Sequence, residues 1–274
     1  MPDSPYSDLN RPPLQEAALA RALVRPGALW TRVSVVDRTG STNSDLAAAV
    51  RTGALEGTVL VAESQLSGRG RLGRAWTAPP RSGLTFSFVL RPRVSPSRFG
   101  WLPLLMGVAS ASAVRRLAEV DVRLKWPNDL MIGERKLAGV LAERYDDAVV
   151  VGMGLNVSLR ADELPTERAT SLAVAEAACV DRDPLLRAIL REFAEHYAEW
   201  QAAEGDPDGS GLRAAYLAAS ATVGQEVRVE LPGERMLTGV ATGVDEWGRL
   251  LVHDGRETHP LSAGDVVHVR PAAS

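Results

Sequence analysis

The stretch V-R-L-K-W-P-N-D-L-M-I-G-E-R-K-L-A-G-V-L-A-E-R-Y-D-D-A-V-V-V-G-M-G-L-N-V, residues 122 to 157, decides the fold class. Val122 to Lys125 is a short strand that runs into Pro127, a residue with fixed φ and no N–H for a ladder. Met131-Ile132 and Lys136 to Ala142 flank Gly133-Glu134, the pattern of a hairpin, and Ala148 to Val157 is an apolar run of strand length. These strands follow one another with no helical pattern between them. Strict βαβ alternation is thereby excluded, and α+β architecture with a central mixed or antiparallel sheet flanked by helices is expected.

Upstream, Trp30 to Asp37, T-V-L-V-A-E at 58 to 63, and Leu84 to Leu90 read as strands, with Val33 and Val35 on one face of the first. Ser41, Thr42 and Asn43 are possible N-caps of a helix Ser44 to Arg51 that closes at Gly53. Leu14 to Arg25 has helical composition and stops at Pro26-Gly27, after an acidic, proline-rich start expected to be disordered. Ser97 to Glu119 reads as mostly helix. Pro184 to Glu204 is helical through Leu185, Ile189, Phe193, Tyr197 and Trp200, and ends in the linker-like E-G-D-P-D-G-S-G. From Val223 onward, short strands with turn signals at Pro232-Gly233 and Asp254-Gly255 suggest a small β-barrel of about 50 residues. The expected divisions are 1–28 for the disordered segment and first helix, 29–220 for the main domain and 221–271 for the barrel.

The chain has 274 residues, 45% apolar and 24% charged, as an ordinary globular protein has. A formal charge of −3 and a pI near 5.9 argue against a protein that coats nucleic acid. Cys179 is the only cysteine, so no internal disulfide or Cys-based zinc site can form. His196, His253, His259 and His268 lie too far apart to read as a metal motif, and no metal site is expected. The start has no apolar core, so it is no signal peptide. The longest uncharged run, Phe99 to Val114, falls short of the roughly 20 residues that span a bilayer. A cytoplasmic protein without membrane contact is expected.

Twenty-nine of the 31 cations are arginines; the two lysines are Lys125 and Lys136. Where arginine serves as the general surface cation, a retained lysine hints at a compact, titratable ammonium that guanidinium does not replace. A general bias against lysine explains the count equally well.

The segment S-G-R-G-R-L-G-R-A-W, Ser67 to Trp76, contains G-x-G-x-x-G at Gly68, Gly70 and Gly73. A dinucleotide loop would follow a strand directly and open a helix, whereas Thr77-Ala78-Pro79-Pro80 cannot continue as one. What remains is a loop with Arg69, Arg71 and Arg74 suited to phosphates and a following indole suited to a base. A solvated basic loop or an RNA contact is the alternative. K-W-P-N-D, Lys125 to Asp129, places an amide and a carboxylate after a rigid proline, or else forms a tight turn with local hydrogen bonds. Lys136 on the adjoining strand suits charge stabilisation in acyl or phosphoryl transfer.

Together T-G-S-T-N (39–43), G-R-G-R-x-G-x-x-W (68–76), K-W-P-N-D (125–129), K-L-A-G (136–139) and G-M-G-L-N (152–156) stand in an order and spacing that resembles the biotin protein ligases. The resemblance covers about residues 30 to 270. It implies a class II synthetase-like catalytic domain with a small SH3-like C-terminal barrel. The implied enzyme is a biotin–[biotin carboxyl-carrier protein] ligase that makes biotinyl-5′-AMP from biotin and ATP, with Mg2+ on the phosphates. It then moves biotin to one lysine of a carrier domain in a biotin-dependent carboxylase.

The resemblance also implies residue roles. Ser41, Thr42, Asn43 and Gln65 would contact biotin, with Gly139 beside it. Arg69, Gly70 and Arg71 would close over its carboxylate and the phosphates, and Lys136 would stabilise the charge at the α-phosphate. Arg74, Lys125, Asn128 and Asp129 would lie near the nucleotide's phosphates, Trp76 would stack on adenine, and Asn156 would hydrogen-bond it. Asp129 is further the candidate to orient the carrier lysine and take its proton. Only about 29 residues precede the first strand, enough for one helix, so a ligase without DNA binding is expected, as a monomer or weak homodimer. The alternative is a lipoate-protein ligase or octanoyltransferase of the same fold; Cys179, which a transferase thioester would require, stands away from every motif.

Overall fold

The computed structural model describes residues 11–231, 235–262 and 265–268. Strands β1 (Arg32–Val36), β2 (Thr58–Ala62), β3 (Gly83–Leu90), β4 (Val122–Lys125), β5 (Asp129–Ile132), β6 (Arg135–Tyr145) and β7 (Ala148–Asn156) form one seven-stranded sheet. Their spatial order is β1-β2-β3-β7-β6-β5-β4, parallel between β1 and β2 and antiparallel at every other step. The expected mixed sheet is therefore present. Its antiparallel part includes the hairpin-linked run from residue 122, because strands joined by short turns lie side by side. All nine residues of β7 are buried, which is why its sequence does not alternate.

Helices α1 (Glu16–Leu23), α2 (Thr42–Arg51), α3 (Leu102–Ala118), α4 (Arg182–Ala202) and α5 (Leu212–Ala219) flank this sheet. Phe86 and Phe88 of β3 join α3 and α4 in the main core, where Phe88 lies 4.6 Å from Phe193 and 5.0 Å from Trp30 between ring centroids. On the opposite face Leu46 and Val50 of α2 pack on Val89, Ala148 and Val150. That face also carries the polar Thr85 and Ser87, alternate residues of β3.

The C-terminal strands β8 (Glu226–Leu231), β9 (Arg235–Val244), β10 (Leu250–His253), β11 (Thr258–Leu261) and β12 (Asp265–His268) form a second, antiparallel sheet in the order β11-β10-β9-β8-β12. This is the expected small β unit. Indole N–H groups fasten it to the first sheet's side of the molecule: Trp101 and Trp126 donate to the carbonyls of Glu246 and Gly248, each at 3.1 Å. Gly100 is required there, since a Cβ would stand 2.2 Å from the Trp247 carbonyl oxygen.

Three sequence expectations change. Helix α5 escaped notice because L-R-A-A-Y-L-A-A offers only Leu212, Tyr216 and Ala219 as buried positions, too few to mark a period. Helix α2 begins at Thr42, earlier than expected, and Ser41 makes no side-chain cap; Gln65 Oε1 accepts from the Thr42 N–H at 2.8 Å instead. The third change is at the start of the chain, where the expected disorder of residues 1–10 lies outside the described residues, while Arg11 to Leu14 are docked. The turn at 232–234 and the end of the expected barrel, 269–271, also lie outside them.

A buried ion pair holds that docked segment. Glu63 and Arg182 meet at 2.5 Å with side chains 3% and 6% exposed. Glu63 also accepts from the Leu14 N–H at 2.6 Å, and Arg182 donates to the Pro12 carbonyl at 2.6 Å. Glu63→Gln strands the Arg182 charge in a dry site, so it should destabilise the protein by about 3 kcal/mol in chemical denaturation. A loss below about 1 kcal/mol would show that water or another acceptor replaces the carboxylate.

Candidate functional site

A cavity of about 520 Å³ lies on the α2 face of the first sheet, walled by the head of α2, the loop from Gln65 to Thr77, the β4–β5 turn and residues 165–169. Strand register builds its floor. Thr85, Gly154, Gly139 and Asp129 form one cross-strand row, and Ser87, Gly152 and Leu141 form the next. The glycines leave room for side chains that lie flat on the sheet. A Cβ on Gly152 would stand 1.9 Å from Asn43 Oδ1, and one on Gly154 would stand 2.2 Å from the Trp76 indole. A Cβ on Gly139 would meet Lys136 Nζ at 3.1 Å.

One end of the cavity is uncharged and polar. Thr42 Oγ1 lies 3.1 Å from Gln65 Oε1 and 2.6 Å from Ser87 Oγ, which donates in turn to Asn43 Oδ1 at 2.6 Å. Alternating donors and acceptors on buried groups suit a small uncharged heterocycle.

The other end is cationic, lined by Arg71, Arg74, Lys125, Lys136 and Arg168. Asp129 pairs with Lys136 at 2.6 Å, and Arg71 donates to Asn128 Oδ1 at 3.2 Å. Burial, followed by the neighbouring Lys136, Arg168 and Arg74, pushes the Lys125 ammonium below its ordinary range, against the pull of Asp129. Burial likewise lowers Arg71, again opposed by Asp129. So many cations around so little negative charge call for a polyanion. Trp76 covers the glycine floor with Lys136 Nζ 5.8 Å from its ring centroid. Asn156 donates to the Thr170 carbonyl at 2.9 Å, and its Oδ1 is buried with no hydrogen-bond partner among the described residues.

The glycine-arginine loop folds back on itself: the Gly70 N–H donates to the Arg74 carbonyl at 2.7 Å and the Trp76 N–H to that of Gly68 at 2.8 Å. A Cβ on Gly68 would lie 2.4 Å from the Trp76 carbonyl oxygen, so its glycine is required by close approach. Leu72 points outward, 70% exposed, with φ of 55°.

Thr42, Asn43, Gln65, Arg69, Gly70, Arg71, Arg74, Trp76, Lys125, Asn128, Asp129, Lys136, Gly139 and Asn156, all expected from sequence, line this one cavity. Ser41 does not: it is buried at the N-terminal end of α2 beside Thr42. Sequence reasoning missed Ser87, whose hydroxyl orients Asn43, and Arg168, whose segment carries no motif. Arg168 is placed by pairing, since the Lys136 N–H donates to its carbonyl at 2.7 Å. Glu230, from β8, is a further lining residue outside every motif.

An uncharged polar slot and a polyanion slot side by side on an antiparallel sheet define a ligase site, in which a small molecule is brought against a nucleotide's phosphates. Comparison with known proteins gives the particular kind. The Biotin/lipoate A/B protein ligase family profile matches residues 35–158, and that of the Biotin protein ligase C terminal domain matches 222–269. The biotin–[acetyl-CoA-carboxylase] ligase of Mycobacterium tuberculosis is 42% identical over 96% of this chain and 98% of its own. The bifunctional ligase/repressor BirA of Escherichia coli is 32% identical over 77% of this chain and 66% of its own. The structure of biotin protein ligase from Aquifex aeolicus in complex with biotin and ATP superposes with a TM-score of 0.74 at 30% identity, over 88% of this chain and all of that one. The chain belongs to the biotin protein ligase family.

The lowered Lys125 ammonium gives a sign that stability can test. A lysine whose folded pKa is depressed opposes folding at neutral pH, and the opposition fades as pH rises through the folded pKa towards the ordinary value near 10.5. Lys125→Met should therefore raise the melting temperature at pH 7 by about 1–3 °C, with a smaller gain near pH 10. A lower melting temperature at pH 7 would show that the ammonium is better compensated than its neighbours suggest.

Proposed function

We propose that this protein is an ATP-dependent biotin protein ligase that biotinylates one lysine of a carrier domain in a biotin-dependent carboxylase, acting in the cytoplasm. Family membership together with the two-ended cavity carries this reading. The relatives favour biotin over lipoate, and no helix among the described residues is long and apolar enough to cross a membrane. Residues 29–220 form the catalytic part and 221–271 a cap whose Glu230 reaches the cavity.

In the first step a biotin carboxylate oxygen attacks the α-phosphorus of ATP, the α–β P–O bond breaks and pyrophosphate leaves. Thr42, Asn43 and Gln65 hold the ureido ring at the polar end, and Gly139, one row on and beside Lys136, leaves space for the rest of biotin. Arg69, Gly70 and Arg71 close over the carboxylate. Lys136 brings its ammonium beside the α-phosphate, where it offsets the negative charge on the phosphoryl oxygens as the carboxylate attacks and pyrophosphate leaves. Arg74, Lys125 and Asn128 take the polyphosphate. Trp76 stacks on adenine, and the unpartnered Asn156 Oδ1 accepts from its amine. Magnesium would come as an ion carried by the nucleotide's phosphates, since no cluster of three ligating side chains lines the cavity among the described residues.

In the second step the carrier lysine nitrogen attacks the acyl carbon and AMP leaves. An ordinary lysine of pKa about 10.4 is neutral in roughly one molecule per few thousand at pH 7, so a nearby base matters. Asp129 stands at the cavity wall to orient the amine and receive its proton.

The reading is tested by biotin-dependent exchange of labelled pyrophosphate into ATP, followed by streptavidin detection of a labelled carrier domain. Exchange with lipoate but none with biotin would overturn it. Lys136→Arg should lose about 100-fold or more in adenylation while keeping charge; near-normal exchange would show that the ammonium is not special. The floor predicts a split between substrates. Gly152→Ala, which disturbs Asn43, should raise the KM for biotin, and Gly154→Ala, which lifts Trp76, should raise the KM for ATP; equal shifts in both constants would refute the division of the cavity.

A further inference from the structure

Strand β6 carries a third residue on the cavity face. Gly139, Leu141 and Glu143 alternate on the same side, and Glu143 pairs across to Val150 next to α2. Its Oε2 accepts twice. Asn43 Nδ2 reaches it at 2.9 Å and Arg69 Nη2 at 3.2 Å, the ion pair having side chains 27% and 44% exposed for Glu143 and Arg69 respectively.

These bonds complete a circuit. Gln65 at the loop's base accepts from Thr42, whose hydroxyl meets Ser87. Ser87 fixes Asn43 through Oδ1, and Asn43 turns its amide N–H to Glu143, which returns to Arg69 on the loop's arm. Gln65 at the start of the loop and Arg69 four residues on are thus tied to one polar network that runs through the ring-binding end of the cavity. A guanidinium has five donors in a rigid fork, so holding one Nη on Glu143 aims the others.

We propose that Glu143 is a positioning residue that locks the glycine-arginine loop to the ring-binding residue Asn43, so that filling the ring site and closing the loop over the adenylate become one event. The inference rests on the ligase reading above. Glu143 touches neither reacting atom. Its carboxylate lowers the freedom of Arg69 before ligand arrives, which strengthens binding by reducing the ordering that closure requires. An amide at this position still accepts from Asn43 but loses the charge that draws Arg69.

Glu143→Gln tests this in the full-length protein. Wild-type enzyme is first shown to perform biotin-dependent pyrophosphate exchange; its failure there would remove the ligase reading together with this inference. With exchange established, the variant should show a biotin KM and a biotinyl-5′-AMP release rate each about three- to fivefold higher, the size expected of one half-exposed ion pair. The KM for ATP should stay unchanged, and trypsin should cut the loop arginines faster in the biotin complex. In an Arg69→Gln background the same change should add less than twofold, because the partner is already gone. Wild-type release from Glu143→Gln, or an effect that adds in full to that of Arg69→Gln, would overturn the coupling and leave the ligase reading standing. A general loss of fold would appear instead as a fall in kcat with both KM values unchanged, and that result too would overturn the coupling.

Discussion

The constraint on which this site depends is how closely side chains approach the backbone of β6 and β7. Asn43, Trp76 and Lys136 lie within contact distance of where Cβ atoms would be at Gly152, Gly154 and Gly139. Each glycine weakens a strand interior, since it contributes no packing of its own. The sheet tolerates this because β7 is central and buried along its whole length, with β3 and β6 bonded on either side. A stable central ladder therefore permits a shallow trough in its own surface. The fixed register then decides which side chain falls in which part of that trough, and sets the uncharged polar end one row away from Lys136 and Asp129.

Electrostatics works in the opposite sense to packing. The cationic end is assembled at some cost to stability: burial and like-charged neighbours disfavour the Lys125 ammonium, and burial acts the same way on Arg71. One buried pair elsewhere is well compensated. Glu63 and Arg182 share a buried site in which Glu63 also accepts from the Leu14 N–H and Arg182 donates to the Gly83 and Pro12 carbonyls, and the same pair pins the segment from Pro12 to Leu14 to the sheet. The contrast separates a pair that serves folding from the Lys125 and Arg71 charges, which burial disfavours at the cavity.

Much of this was legible in sequence, for identifiable reasons. The hairpin-rich run from residue 122 dictated an antiparallel sheet because its turns are too short for a crossover. Motif residues were found because their chemistry is unusual at their positions: arginines between glycines, or an amide and a carboxylate after a proline. Ser87 and Glu143 were not found, since a serine and a glutamate on strands are ordinary, and only register shows that both face Asn43. Arg168 was hidden for a related reason, because a backbone pairing at Lys136 carries it to the cavity and side-chain pattern does not encode that pairing. Helix α5 was missed for want of a period, and the cap expected of Ser41 fails because Gln65 Oε1 takes the Thr42 N–H while the Ser41 hydroxyl makes no cap bond.

The scarcity of lysine gains a physical meaning from the geometry. Both lysines of the chain line the cavity in which the proposed reaction would make a lysine-reactive adenylate. Lys136 is held in an ion pair with Asp129. Lys125 is the more exposed to risk, since the burial and crowding that lower its pKa also raise its neutral fraction. Bound phosphate opposes that shift, because a polyanion restores the balance that the empty cavity lacks. After pyrophosphate departs, the phosphate of the adenylate still stands among these cations. On the ligase reading, the negative charge that Lys125 would help to bind would favour its protonated form while the anhydride exists, and so oppose self-acylation.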